Sequence, residues 1–225
     1  MGAFRLVLRF YWLALLLCIE VFDSPKLAVA QEPLDETVRD GVQLLDAFLE
    51  KVDSMTADFN QQLWSADNQL VETANGTVSL KRPNRFLWSY SAPLEQVVLS
   101  DGQSLWMYDI ELAQVTVAPL DDVIAATPAM LLSGDVAARE GFEVLDHFQA
   151  DGVTWVRLGA VTEGADFNLM MIGFRGGVLE RLELIDGLNQ ITRIEFSNIE
   201  LNPKMENDVF QFTAPDDVDI IGSTG

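Results

Sequence analysis

The chain has 225 residues and is strongly acidic, with 35 Asp and Glu against 14 Lys and Arg and a net charge of −21. This charge disfavours nucleic acid and anionic membrane surfaces and favours basic partners, although it also serves solubility alone. The length suits one domain of the all-β kind or two smaller ones. A single cysteine, Cys18, and a single histidine, His147, leave little material for thiol or zinc chemistry.

The first thirty residues have the features of an export signal. A basic start with two arginines precedes an apolar run over residues 10–19, and residues 28–30 (Ala-Val-Ala) form a small-x-small cleavage site. The apolar run is shorter than the roughly 20 residues of a spanning helix, so a retained anchor is the minor alternative. We therefore expect residues 1–30 to be removed and residues 31–225 to form one soluble, exported domain without cysteine.

Residues 34–52 predict an amphipathic helix. Apolar side chains recur there at intervals of three or four, at Leu34, Val38, Val42, Leu45, Leu49 and Val52. Most of the charged residues in this segment fall between them. A helix with one apolar face needs an apolar surface to cover.

After this helix the apolar pattern changes to a period of two, which predicts short antiparallel strands. We place strands at 55–64, 69–80, 85–90, 95–99, 104–108, 113–118, 142–148, 154–161, 167–174, 178–185 and 190–199, with 209–212 as a candidate twelfth. Asn75-Gly76 is interpreted as a bulge or bend in one long strand rather than a hairpin turn. The predicted fold is mainly β (α+β), an incomplete antiparallel β-barrel of about eleven strands.

The segment 81–90 joins a turn to an unusually aromatic strand. With alternating side chains, Phe86, Trp88 and Tyr90 share one face, although Tyr90 lies near the strand end. One interpretation is an ordinary barrel core. The other is the wall of an apolar cavity with Arg82 at its rim.

The inventory of bulky side chains favours a cavity over a fully packed core. An eleven-stranded barrel is wider than side chains alone can fill, and methionine suits surfaces that must adapt. The residues concerned are Phe59, Phe86, Trp88, Trp106, Met107, Met130, Leu131, Leu132, Trp155, Met170 and Met171.

Residues 127–134 break the strand pattern and predict a short apolar helix. Thr127 can cap its start, Pro128 suits its first position and Gly134 suits its end. Such a helix inside a β protein is either a plug that closes one end of the barrel or a movable lid. The sequence leaves both readings open.

The sequence offers little for catalysis. His147 lies between Asp146 and Phe148 in an ordinary strand pattern, with no nucleophile motif nearby. Calcium-loop spacing, zinc-ligand clusters and phosphate-binding glycine patterns are missing from the sequence. We expect a binding protein rather than an enzyme, with no catalytic residue, metal or cofactor.

Several segments resemble one known family, in the right order along nearly the whole mature chain. They are the amphipathic helix with 59–61 (FNQ), 81–88 (KRPNRFLW), 100–108 (SDGQSLWMY), Gln114, 127–131 (TPAML) and 210–215 (FQFTAP). The patterns KRPN-x-F-x-W and SDG-x-x-LW-x-Y are specific when they occur together. With them, the chain resembles the LolA family of outer-membrane lipoprotein carrier proteins.

The resemblance implies that helices form a lid over an apolar cavity for lipoprotein acyl chains. In such proteins the KRPN arginine hydrogen-bonds main-chain groups of the lid and holds the empty form closed. Matched by position, this latch is Arg82, with the backbones of Leu49, Leu132 and Ser133 as partners. The expected cavity residues are Phe86, Trp88 and Val98 by position, and Phe59, Trp106 and Met130 from the apolar inventory.

The function implied by the resemblance is that of a periplasmic chaperone. It would take lipoproteins from an inner-membrane releasing transporter, shield their acyl chains and deliver them to an outer-membrane acceptor, as a monomer and without nucleic acid. Ala129 departs from the bulkier aromatic sometimes found after the Thr-Pro pair, which implies lighter lid contacts. The alternative is a non-transferring envelope lipid- or lipoprotein-binding protein, or a sensor, of the same fold.

Overall fold

A computed structural model of the protein describes residues 36–120, 128–134, 140–161 and 167–224. The predicted export signal at 1–30, the helix residue Leu34 and the expected helix cap Thr127 lie outside these ranges.

Most of the described chain belongs to one sheet, which leaves two edges open. Its strands are β1 (Ser54–Trp64), β2 (Leu70–Lys81), β3 (Arg85–Ala92), β4 (Gln96–Asp101), β5 (Ser104–Asp109), β6 (Gln114–Pro119), β7 (Phe142–Ala150), β8 (Val153–Ala160), β9 (Phe167–Arg175), β10 (Val178–Asp186), β11 (Ile191–Leu201) and β12 (Asp219–Gly222). Their order is β12-β6-β5-β4-β3-β2-β1-β11-β10-β9-β8-β7, so β12 and β7 are the edges. The β12–β6 pair is parallel, and the other described pairs are antiparallel. The predicted mainly β, incomplete antiparallel architecture is confirmed, with twelve strands in the described ranges.

Strand β2 is one long strand with an irregularity at Gly76, as the sequence predicts. Its ladder with β3 shifts register between Asn75 and Gly76. A Cβ atom at Gly76 would lie 1.8 Å from the Ser89 carbonyl oxygen and 2.9 Å from Cε1 of Phe59. Only glycine allows the two strands to approach this closely.

Two helices pack on the sheet, at the positions that the sequence predicts. Helix α1 (Glu36–Lys51) lies against β7 and β8, and its Phe48 ring lies 6.1 Å from that of Phe174. Helix α2 (Pro128–Leu132) buries Leu131 and Leu132 completely, and Gly134 follows it with a φ of +79°. Within the described ranges, no helix is both long enough and apolar enough to span a bilayer.

The prediction of a strand at 209–212 is wrong. Asn207–Phe210 form a 3₁₀ turn, and the last strand is β12, further along the chain. Phe210 is buried and the Phe212 ring stacks on Trp106, at 5.0 Å between ring centroids. The two phenylalanines of this segment therefore pack against the sheet instead of extending it.

Candidate functional site

An apolar cavity of about 280 Å³ lies between the inner face of the sheet and α2. The lining comes from both halves of the sheet, because β3, β4 and β5 face β10 and β11 across it. Met107 is 36% exposed, so the cavity reaches solvent on that side. Its walls are Gln61, Phe86, Trp88, Tyr90, Val98, Leu105, Met107, Ala129, Met130, Leu184, Thr192 and Ile194.

The aromatic face of β3 forms part of this wall. Phe86, Trp88 and Tyr90 all line the cavity. The sequence had left Tyr90 unassigned because it lies near the end of the strand. The Tyr90 hydroxyl donates a hydrogen bond to Oε1 of Gln61, at 3.2 Å. Burial, followed by the nearby Glu72 carboxylate, raises the pKa of Tyr90 to about 12. The phenol therefore stays neutral on an almost wholly apolar wall.

Two expected cavity residues are placed elsewhere. Phe59 lies behind the wall, with its ring 5.2 Å from that of Trp88 and 5.1 Å from that of Tyr90. Trp106 lies on the opposite face of β5 from the cavity-lining Leu105 and Met107. There it stacks on Phe212, and its Nε1 donates to Oδ2 of Asp101 at 3.2 Å.

The remaining cavity residues named from the sequence, Val98 and Met130, both line the cavity. Sequence reasoning missed wall residues on the far half of the sheet, among them Leu184 and Ile194. Their alternation within β10 and β11 places them on one face, but it does not reveal that this face meets β3 across a cavity.

Arg82 lies where the ends of both helices meet. Its Nη1 donates to the carbonyl oxygens of Phe48 and Leu49, each at 2.9 Å, and to that of Val52. Its Nη2 donates to the Leu132 carbonyl at 2.8 Å. One guanidinium thus joins the C-terminal end of α1 to that of α2.

The physical basis of this arrangement is helix capping. The last carbonyls of a helix lack partners within the helix and carry partial negative charge, so a cation there is favourable. The guanidinium also lies over the Phe48 ring, 5.1 Å from its centroid. Burial lowers the pKa of Arg82 to about 10, with the Asp53 carboxylate opposing that change. Arg82 is therefore charged at neutral pH.

A second contact joins α2 to the same turn of the sheet. The Ser133 carbonyl, expected as a partner of Arg82, accepts a hydrogen bond from the backbone N–H of Asn84 at 3.2 Å. Asn84 has a φ of +61°, a turn conformation that asparagine tolerates. A Cβ atom at Gly134 would lie 2.6 Å from Cδ of Arg82, so the chain after α2 passes directly over the arginine stem.

The turns at the opposite end of the sheet expose apolar side chains. We call the turns 65–69, 93–95, 110–113 and 187–190 the rim; antiparallel pairing places them all at one end. Leu112 and Leu188 are 71% and 74% exposed there. These turns contain three acids and no Lys or Arg. The rim is therefore both apolar and acidic.

His147 is a packing residue of the helix–sheet contact. It is buried in β7, and a Cβ atom at Gly41 of α1 would lie only 2.8 Å from the His147 Cβ. In the described part of the chain, no group of three or more His, Cys, Asp and Glu side chains is placed to hold a metal ion.

An open antiparallel sheet covered by helices, with an apolar cavity beneath them, defines a class of proteins that hold apolar ligands. The family model "Outer membrane lipoprotein carrier protein LolA" matches residues 50–213. The chain belongs to this family.

Relatives with assigned names agree with the family match. The outer-membrane lipoprotein carrier protein of Methylobacillus flagellatus is 35% identical over 183 residues, which cover 81% of this chain and 89% of that protein. The protein of the same name from Nitrosomonas europaea is 37% identical and covers 80% and 88% of the two chains. These relatives are named as carriers, not as enzymes.

Solved structures show the fold as well. The crystal structure of an uncharacterized conserved protein from Thermus thermophilus superposes with a TM-score of 0.50 and is 10% identical. The match covers 81% of this chain and 97% of that one. At such low identity the likeness shows the fold alone.

Proposed function

We propose that this chain is a periplasmic carrier that shields lipoprotein acyl chains in the cavity between its sheet and α2 and then releases them to the outer membrane. The observation that carries the proposal is Arg82, which ties the ends of both helices together beside an apolar cavity. Few hydrogen bonds form this tie, so they can break when α2 moves while the sheet stays intact.

The size of the cavity supports a lid that moves. At about 280 Å³ it lies just below the roughly 300–1,000 Å³ typical of pockets for small ligands, so the closed form has room for part of one acyl chain. Ala129 and Met130 of α2 line it directly. Moving α2 outward would enlarge the cavity while the sheet stays in place.

Energetics favour partial covering of the chains. Burial contributes about 0.8 kcal/mol per methylene, so a fully buried acyl chain would gain more than ~10 kcal/mol and would not be released on a useful timescale. A charge-assisted hydrogen bond is worth roughly 1.5–3 kcal/mol. That is enough to favour the closed empty state and small enough for an incoming lipid to overcome.

The rest of the proposal concerns export and partners. The features of residues 1–30 support export and removal of that segment, which leaves one soluble, monomeric carrier domain at 31–225. The acidic, apolar rim supports docking of basic partner surfaces with apolar patches. We assign that role to an inner-membrane releasing transporter and to an outer-membrane acceptor.

Replacing Arg82 with leucine tests the latch. We expect the Arg82→Leu variant to fold and to form a soluble complex with a lipoprotein, because the cavity wall is unchanged. Onward transfer should slow by about ten- to hundredfold, since the closed empty state loses roughly 1.5–3 kcal/mol of stabilisation relative to the loaded state. Transfer of a purified lipoprotein to acceptor membranes measures the effect.

Arg157→Leu is the matched control for this substitution. Arg157 also bonds to an oxygen, Oδ2 of Asp146 at 2.9 Å, and lies over an aromatic ring, that of Phe148. It contacts neither helix end in the interactions described, so its replacement should leave transfer unchanged. Full transfer activity in Arg82→Leu would refute the latch.

A non-transferring binder of the same fold is the second candidate, because the closed cavity by itself also suits a small apolar ligand. Delipidated protein mixed with lipoprotein-loaded membranes separates the two. A carrier extracts the lipoprotein into a soluble one-to-one complex. A protein that takes up free fatty acid but leaves the lipoprotein in the membrane would be the binder.

A further inference from the structure

A second side chain caps α1 beside Arg82, and it comes from the end of β11, a strand that is distant in the sequence and adjacent to β1 in the sheet. Asn202 follows β11, and its Nδ2 donates to the carbonyl of Lys51, the last residue of α1, at 3.1 Å. Its Oδ1 accepts from the backbone N–H of Asp53 at 2.7 Å and from that of Ser54 at 3.4 Å. One carboxamide thus holds both sides of the corner between α1 and β1.

The backbone of Asn202 fixes its side chain in this position. Its φ is +56°, in the left-handed region, and its N–H donates to the Ser54 carbonyl at 2.8 Å. Asparagine is one of the few residues with a side chain that adopts this conformation readily. The carboxamide is therefore aimed at the α1 corner by the end of the sheet itself.

The same corner carries the Arg82 contacts. The Asp53 carbonyl accepts from the backbone N–H of Arg82 at 2.8 Å, and the Arg82 side chain reaches Leu49 and Val52 on the other side. Asn202 therefore fixes the corner at 51–54, and Arg82 hydrogen-bonds to the carbonyl groups that the corner presents. The two residues have different roles at the end of α1. The described bonds of Asn202 connect α1 to the sheet, whereas those of Arg82 also connect α1 to α2.

We infer that Asn202 is the positioning residue of the latch: it anchors the C-terminal end of α1 to the sheet, so that the carbonyls of α1 converge on Arg82. This inference rests on the proposed latch function of Arg82. It implies that opening breaks the bond between Arg82 and α2 while Asn202 keeps the end of α1 in place. The corner 51–54 then acts as the fixed side of the lid.

The test measures opening of the empty, full-length mature protein with the apolar dye 1-anilinonaphthalene-8-sulfonate. The dye binds the open form, so the apparent Kd of the dye is inversely proportional to the fraction of protein that is open. We expect Arg82→Leu to lower this Kd by roughly tenfold or more and Asn202→Gly to lower it by about fivefold. Glycine keeps the left-handed backbone and removes only the carboxamide bonds.

The double variant distinguishes positioning from simple stabilisation. If Asn202 acts through Arg82, the Kd of Arg82→Leu with Asn202→Gly should match that of Arg82→Leu alone. A Kd lowered by the product of the two single effects would overturn the inference. If Asn202→Gly fails to fold, Asn202→Asp replaces it, since it keeps the acceptor oxygen but loses the donor to Lys51 and places a negative charge beside the helix end.

Asn198→Gly is the matched control. Asn198 lies four residues earlier on β11, also has a positive φ, of +51°, and its side chain donates to Oδ2 of Asp58 at 2.6 Å, away from α1. Its dye Kd should stay within about twofold of the unmodified protein; an equal effect from Asn198 and Asn202 would refute the inference. Failure of the unmodified protein to form a soluble lipoprotein complex would instead refute the carrier function, because the dye experiment contains no lipoprotein.

Discussion

The two ends of the sheet are built on opposite principles. At the latch end, where the turn after β2 meets the ends of both helices, Arg82 bonds to main-chain groups of α1 and α2, Asn84 bonds to Ser133 after α2, and Asn202 ties the end of β11 to the corner after α1. At the rim, Leu112 and Leu188 project into solvent from tight turns closed by the carboxylates of Asp109 and Asp186. One end uses polar groups to hold helices in place, and the other exposes apolar surface.

This difference suggests separate roles for the two ends: the latch end controls opening of the cavity, and the rim meets the partners that deliver or receive lipid. Hydrogen bonds are directional, so a small set of them can define one closed arrangement of two helices. Apolar contacts are non-directional and suit a surface that must accept different partners or lipids. Substitutions at the latch end should therefore change stability and opening, whereas substitutions at the rim should change encounter and uptake.

The largest expected effect on stability is at Gly134. Gly134→Ala should lower the free energy of unfolding by about 2–3 kcal/mol, because the left-handed φ costs a side chain ~1–2 kcal/mol and the new Cβ would displace the Arg82 stem. Gly177→Ala is the control, since its φ is +83° but its nearest neighbour is 3.8 Å away. Urea unfolding followed by tryptophan fluorescence measures both. Equal losses would show that contact with Arg82 adds nothing at Gly134.

A smaller effect on stability, and a separate one on function, is expected at the rim. Leu112→Ser and Leu188→Ser should each change the free energy of unfolding by less than about 0.5 kcal/mol, because both side chains are exposed. Together they should slow lipoprotein uptake from donor membranes by roughly fivefold, since apolar area is lost from the proposed docking surface. Leu145→Ser is the control: Leu145 is 50% exposed in the edge strand β7, away from the rim turns, and its replacement should leave uptake unchanged. Unaltered uptake in the variant with both rim leucines replaced would contradict the assignment of lipoprotein uptake to the rim.

The smallest effect concerns Tyr90, on the cavity wall between the two ends. Because burial raises its pKa to about 12, one tyrosine should ionise late in an absorbance titration at alkaline pH, and Tyr90→Phe should abolish that phase. A raised pKa means that the folded state keeps the proton longer than the unfolded chain. The associated stability is therefore present below about pH 10 and is lost as the pH rises towards 12. If Tyr90→Phe instead removes an ordinary ionisation near pH 10 and leaves the late phase in place, the phenol is in contact with water.

Much of the fold follows from local pattern. The helical pattern of α1, the period of two in the strands and the aromatic face of β3 are properties of neighbouring residues, and within the described ranges they occur where predicted except at 209–212. The position of Arg82 beside a helix end came from the family resemblance and not from any pattern of charge. Its bonds to the carbonyls of Leu49 and Leu132 appear only when distant segments are brought together.

Trp106 shows where local pattern stops being informative. Both faces of β5 carry bulky apolar side chains, Leu105 and Met107 on one and Trp106 and Tyr108 on the other, so alternation alone does not identify the inner face. The inner face is decided by the returning C-terminal segment. It brings Phe212 onto Trp106 and Tyr108 and so makes theirs the outer face.

The sequence by itself determined the mainly β class, both helices, the bulge at Gly76 and the shared aromatic face of Phe86 and Trp88, because each depends on residue types within a few positions. The tertiary structure alone decided the parallel β12–β6 pair, the outer place of Trp106 and the shared cap of Arg82 and Asn202. These features join segments separated by tens to more than a hundred residues. Their partners are main-chain groups and surfaces that exist only once the chain is folded, so no local pattern encodes them.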